Sequence, residues 1–168
     1  IYGKDITEEV AEEIGKAFGT YLGGAGKNLV AGRDVRLSGE ILQRALTAGL
    51  LSTGCHVEDI GVVPTPVFYF AVAHYAKDGG AMITASHNPA EWNGFKLTRE
   101  KGFICAEGMG MEEIKDIAFT RRFKRANRGK MEKYDEALVD YANFVLDKME
   151  IERGLKVAMD LGNGACSL

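Results

Sequence analysis

The sequence predicts an α/β domain, a three-layer α/β/α sandwich built on a mixed, mainly parallel sheet. Three observations predict it. Short apolar runs alternate with helical patterns from Asn28 to Thr84, an order that puts helices on both faces of a parallel sheet. The 21 glycines fall largely at predicted element ends, where tight strand–helix turns need them. A hairpin pattern between Phe95 and Cys105 adds an antiparallel member, so the sheet is mixed.

Thr7 is the predicted cap of the first helix, with Glu8 and Glu9 in its first turn. Val10, Ile14, Ala17, Phe18, Tyr21 and Leu22 then recur at helical spacing, and Gly23-Gly24 stops the helix. Asn28 to Gly32 is the first strand. Ser38 caps a second helix that buries Ile41, Leu42, Ala45, Leu46, Gly49 and Leu50 and ends at Gly54. His56 to Ile60 alternates as a second strand. Pro64-Thr65-Pro66 opens a third helix, with Thr65 as cap and an apolar surface nearly all round.

Ala81 to Thr84 is a short buried strand running into a loop, and Phe95–Thr98 pairs with Phe103–Cys105 as a hairpin. Met111 to Phe119 forms a helix, Arg121 to Lys133 a basic, polar connector, and Tyr134 or Asp135 to Met149 an amphipathic helix. Leu155 to Leu161 begins a new strand that runs into Gly162-Asn163-Gly164. The expected boundary lies near Arg153-Gly154, giving one domain over 1–153 and the opening of a second over 154–168.

A net charge of −3 gives no electrostatic reason to expect nucleic acid or an anionic membrane as partner. No run is long and apolar enough to span a bilayer. Cys55, Cys105 and Cys166 are odd in number, widely spaced and form no C-x-x-C pair. They read as buried free thiols in a reducing cytoplasm.

The chemistry concentrates at Thr84-Ala85-Ser86-His87-Asn88-Pro89, followed by Asn93-Gly94-Phe95-Lys96. Pro89 cannot donate to a ladder and steers Asn88 away from helical geometry, so Ser86 sits on a constrained loop at a strand end. Ser86 has three readings. It is a turn serine bonded to local backbone, an acyl-transfer nucleophile with His87 as base, or a phosphoryl carrier. Adjacent residues seldom aim side chains at each other, and no G-x-S-x-G elbow is present, which weakens the second. A phosphorylated serine would need cations and donors, which Lys96, His87, Asn88, Arg33 and Arg36 could supply. The residues alone do not choose between the first and third.

The loop, with Asn93-Gly94-Phe95-Lys96, resembles the active-site signature of the α-D-phosphohexomutases, the phosphoglucomutase/phosphomannomutase family. Three further segments match in order: Gly32-Arg33-Asp34-Val35-Arg36-Leu37-Ser38, Pro64-Thr65-Pro66, and the run from Val157 to Gly164. The resemblance implies the first of four domains around a cleft. It implies that Ser86 carries a phosphoryl group, passes it to a hexose phosphate and recovers one from the reoriented bisphosphate. The result moves phosphate between the C1 and C6 oxygens of glucose or mannose. By the same match Lys96 and His87 are catalytic and Asn88 and Arg33 bind phosphate or substrate, with Arg36 a weaker candidate. Asn88 is read as holding the loop through Asx-turn bonds ahead of touching substrate, and Arg33 as either reaching the site or pairing with Asp34 or another carboxylate. Mg²⁺ is held by Ser86 through its phosphate, and by ligands from a later domain.

Tyr2 stands where the family has an arginine near its start, so one phosphate contact is missing or supplied elsewhere. The metal, sugar-recognition and second phosphate loops of domains two to four are absent, so the isolated chain is expected to show no turnover. A cytoplasmic enzyme is implied. The competing class is a non-catalytic phosphate-binding or interaction domain retaining the fold. Phosphoglucosamine mutase is the alternative within the family, although Ala81-Met82-Ile83-Thr84 and Trp92 lean toward the glucose and mannose branch.

Overall fold

The computed structural model describes residues 1–150 and 152–167. Its strands are β1 (Asn28–Arg33), β2 (His56–Val62), β3 (Gly79–Ile83), β4 (Phe95–Arg99) and β5 (Met131–Lys133). They form one five-stranded sheet in the order β4-β3-β1-β2-β5. The β1, β2, β3 and β5 pairings are parallel, and β4 runs antiparallel to β3. This is the mixed, mainly parallel sheet that the sequence predicts.

Side chains alternate across the sheet and divide the core in two. Leu29, Ala31, Ala81 and Ile83 face one layer, and Val30 and Met82 the other. The first layer holds α1 (Glu8–Leu22), α2 (Gly39–Ser52) and α4 (Met111–Thr120). The second holds α3 (Thr65–His74) and α5 (Ala137–Leu146).

Thr7 caps α1 as expected, its hydroxyl accepting from the Val10 amide at 3.3 Å. The predicted face of α1 is the buried one: Ala17 and Phe18 are buried and Ile14, Tyr21 and Leu22 pack half-buried against the core, whereas Val10 is exposed. Three small residues outside the predicted set, Ala11, Gly15 and Gly19, complete the buried stripe. The cause is a close helix crossing. A Cβ on Gly15 would lie 2.1 Å from the Leu46 carbonyl oxygen, and one on Gly49 would lie 2.1 Å from that of Glu12. Only glycine on both helices lets the two backbones meet at that distance.

Four further expectations are corrected. The connector before α5 contains β5, which pairs with Val57–Asp59 of β2. All three β5 residues are exposed, so their pattern carries no burial signal. The second arm of the hairpin is reduced to one bridge between Thr98 and Ile104. Residues 155–161 form no strand and leave Leu155, Val157, Met159 and Leu161 exposed, because a strand needs a neighbour to complete its hydrogen bonds. Cys55 and Cys105 are buried free thiols, but Cys166 is exposed. Leu168, where the expected second segment ends, lies outside the described residues.

α5 is fastened to α3 through Asp140, whose carboxylate accepts from the hydroxyls of Tyr75 and Tyr134, both at 2.6 Å. The Tyr134 hydrogen bond, then that of Tyr75, holds the Asp140 carboxyl below its ordinary range. A depressed carboxyl contributes stability above the unfolded value of about 3.9 and loses it as pH falls through the lower folded value. Asp140→Asn is therefore expected to flatten the acid limb of a denaturation-midpoint-against-pH curve below about pH 4, while leaving its slope near neutrality unchanged.

Candidate functional site

From β1 the chain crosses through α2 to β2, then returns through α3 to β3 on the other side of β1. The connections diverge between β1 and β3, and in open α/β sheets a crevice forms there, beyond the carboxyl ends of the strands. A cavity of about 730 Å³ lies at that place. Residues 34–37 line it after β1, Val63 and Pro64-Thr65-Pro66 after β2, and Thr84, Ser86, His87 and Asn88 after β3. Lys96 enters from β4, whose reversed direction brings its start to the same rim, and residues 162–166 close one side.

Ser86 lies in the left-handed region at φ 56°, a conformation that costs a residue with a Cβ about 1–2 kcal/mol. Local bonds hold it there. The Ser86 amide donates to Thr84 Oγ1 at 2.9 Å, and the Thr84 hydroxyl donates to Asp34 Oδ2 at 2.6 Å. Arg36 pairs with the same carboxylate through Nε at 3.2 Å. Its Nη1 donates to the carbonyls of Pro89 and Trp92 at 2.6 and 3.0 Å, and its Nη2 to those of Ser86 and Asn88 at 3.1 and 2.7 Å. Farther along, the buried Asn93 donates to the Ser38 hydroxyl at 2.8 Å. Ser38 stands at the start of α2 without a side-chain capping bond, so its hydroxyl serves the loop instead.

Residues 1–125 match the family described as phosphoglucomutase/phosphomannomutase, alpha/beta/alpha domain I. The chain belongs to this family. A protein of Thermococcus kodakarensis named "Probable phosphoglucosamine mutase" is 41% identical over 171 residues, covering 100% of the chain and 37% of that protein. A second from the same organism, named phosphoglucomutase/phosphomannomutase, is 41% identical over 183 residues, again over 100% of the chain and 39% of that protein. The solved structure of a phosphoglucomutase/phosphomannomutase family protein from Burkholderia thailandensis superimposes with a TM-score of 0.78 at 34% identity. That match covers 90% of this chain and 34% of the other. The chain thus spans just over a third of the length of the relatives it matches.

In this phosphohexomutase domain, Ser86, His87, Asn88 and Lys96 are brought together at one cavity. Ser86, His87 and Asn88 are exposed there and Lys96 is half-buried. Among the described residues, no ion pair occupies the Lys96 ammonium. Arg33 is not brought in. Its Nη1 donates to Gln43 Oε1 at 2.7 Å, Gln43 in turn donates to Asp59 at 2.7 Å, and Arg33 is not among the residues lining the cavity. Tyr2 is also committed elsewhere: its hydroxyl donates to Glu8 at 2.9 Å and its amide to the Glu91 carbonyl at 3.0 Å.

Asp34 and Thr84 escape the sequence reading, which weighs Arg36 only as a weaker phosphate candidate and misses its bonds to the loop. One signal was available. A threonine two residues before a loop serine is placed to accept that serine's amide, as Thr84 does. The donors present do not by themselves make a magnesium site. Among the described residues no group of three or more His, Cys, Asp and Glu could hold a metal, and the Asp34 carboxylate is already taken by Arg36 and Thr84.

Proposed function

We propose that this chain is the phosphoserine domain of a hexose-phosphate mutase, and that Ser86 carries the phosphoryl group. One observation carries the reading. Four segments far apart in sequence (the β1 loop, Pro64-Thr65-Pro66, the Ser86 loop with Lys96, and Gly162-Asn163-Gly164) converge on a single cavity. Its size falls within the range of small-molecule sites. In the proposed step the Ser86 Oγ–phosphorus bond breaks as a bond forms to a sugar hydroxyl. The hydroxyl loses its proton and the serine oxygen regains one. His87 and Lys96 line the cavity and are able to exchange these protons, and Lys96 offsets negative charge on the group in flight.

The substrate class is a hexose 1- or 6-phosphate. Two relatives of one organism, equally identical to this chain, carry glucosamine and glucose/mannose names respectively, so identity alone favours neither sugar. Trp92 and the Ala81–Thr84 approach favour glucose or mannose phosphate. In the complete protein a Ser86 phosphate would offer one oxygen to Mg²⁺, with the other ligands coming from outside this chain. The proposed boundary at Arg153-Gly154 fits the position of α5, after which residues 154–161 lie exposed. Among the described residues no helix is long and apolar enough to cross a membrane, and a cytoplasmic location is part of the proposal.

The test is to incubate the complete protein with a hexose 1,6-bisphosphate and map phosphate by peptide mass spectrometry. One phosphoryl group on the Ser86 peptide, transferable to a hexose monophosphate, is expected. A chain that never becomes charged would instead favour a non-catalytic phosphate-binding domain. The isolated 168-residue chain is expected to give no isomerisation.

A further inference from the structure

Resting on the phosphoserine reading above, we propose that Arg36 is a positioning residue that sets the direction of the Ser86 hydroxyl and takes no part in binding phosphate. Arg36 lines the cavity, where an arginine is ordinarily expected to meet an anion. Its donor inventory excludes that role. A guanidinium has five N–H donors. Here Nε is used on Asp34, both Nη1 donors on Pro89 and Trp92, and both Nη2 donors on Ser86 and Asn88. None is left for a ligand, and Asp34 compensates the charge.

The bonds close a ring around Ser86. Its carbonyl is held by Arg36, its amide by Thr84, and Asp34 joins the two by accepting from both. The peptide units on either side of Ser86 are therefore fixed, and with them a left-handed backbone that a free loop would leave. Phosphoryl transfer depends on in-line placement of the attacking and leaving oxygens, and the backbone held by these bonds fixes the Cα–Cβ direction from which Oγ is presented. Lysine cannot replace this group, because an ammonium has three donors and no planar fork.

The experiment uses Arg36→Lys and Thr84→Val in the complete protein, each first charged with a hexose 1,6-bisphosphate. Phosphate per chain gives the competent fraction, and single-turnover transfer to hexose monophosphate is then measured per phosphoserine. Transfer is expected to slow about a hundredfold in Arg36→Lys, as for a misplacement near 1 Å, with the KM for hexose phosphate unchanged. Exchange of the Ser86, Asn88 and Trp92 amides, each hydrogen-bonded in the structure, is expected to accelerate in the same variant. In Thr84→Val the Ser86 amide loses its acceptor and should exchange faster with a slower transfer step. Wild-type transfer per phosphoserine with wild-type exchange in Arg36→Lys would overturn the proposal, as would a raised KM with unchanged transfer, the mark of a lost phosphate contact. Should the wild-type protein fail to charge, the mutase reading fails, while the exchange rates still decide whether Arg36 holds the loop.

Discussion

Ser86→Ala in the complete protein is expected to lower mutase turnover on the order of 10⁴-fold or more, the loss typical when a covalent nucleophile is removed. The proposed phosphoryl carrier would be gone, and no neighbouring hydroxyl has the same place. Thr84, the nearest candidate in sequence, already accepts the Ser86 amide and donates to Asp34. Stability should be nearly unchanged. The ties at residue 86 run through its backbone amide and carbonyl, which alanine retains, and the residue is exposed. Steady-state kinetics, phosphopeptide mapping and a thermal melt on the same preparation check all three statements. A variant that keeps most of its turnover would remove Ser86 from the mechanism.

The reverse profile is expected of Gly49→Ala. In an isolated helix the change would help by about 1 kcal/mol. Here the added methyl would sit 2.1 Å from the Glu12 carbonyl oxygen and 2.8 Å from the Lys16 amide nitrogen, both backbone atoms that no rotamer change can move. α1 and α2 would have to separate, exposing part of the core that includes Ala11, Phe18, Leu46 and Leu50. Overpacking of this kind costs about 1–3 kcal/mol and sometimes more, so the clash outweighs the propensity gain. A loss of about 2–3 kcal/mol in chemical denaturation and a melting temperature lower by roughly 4–12 °C are expected. An unchanged or raised midpoint would mean that the helices do not cross as closely as described. Gly15→Ala should behave alike, since its Cβ would meet the Leu46 oxygen at 2.1 Å.

These glycines show where sequence reading succeeds and where it stops. The strands β1, β2 and β3 were legible because apolar runs bounded by turn residues have few alternative structures, and alternating burial then places the helices. On α1 the large apolar residues of the buried face are legible, but Ala11, Gly15 and Gly19 are not, because a periodicity count follows large apolar residues and a close crossing is built from small ones. β5 was illegible for a different reason. Its three exposed residues join the sheet through backbone bonds, a contribution with no side-chain signature. At the site, the catalytic candidates could be located from adjacent sequence, since Ser86, His87 and Asn88 are neighbours and Lys96 follows closely. The hydrogen bonds from Arg36 to the loop could not. Arg36 reaches the Ser86 loop across a separation of 50 residues, and its partners are carbonyl oxygens, which every residue has.

The order of the strands separates two kinds of work between opposite rims of one sheet. Chemistry-bearing loops leave the carboxyl ends of β1, β2 and β3. At the other rim, Asp78 accepts from Lys27 at 2.7 Å and from the Asn28 amide at 2.9 Å, fastening the entry of β3 to that of β1. Substitution at the one rim alters the loops around the cavity and leaves these fasteners in place, and substitution at the other alters the fasteners and leaves the cavity lining as it is. Anchoring of the strands and the shape of the cavity can therefore vary separately, since Lys27, Asn28 and Asp78 are not among the residues lining it.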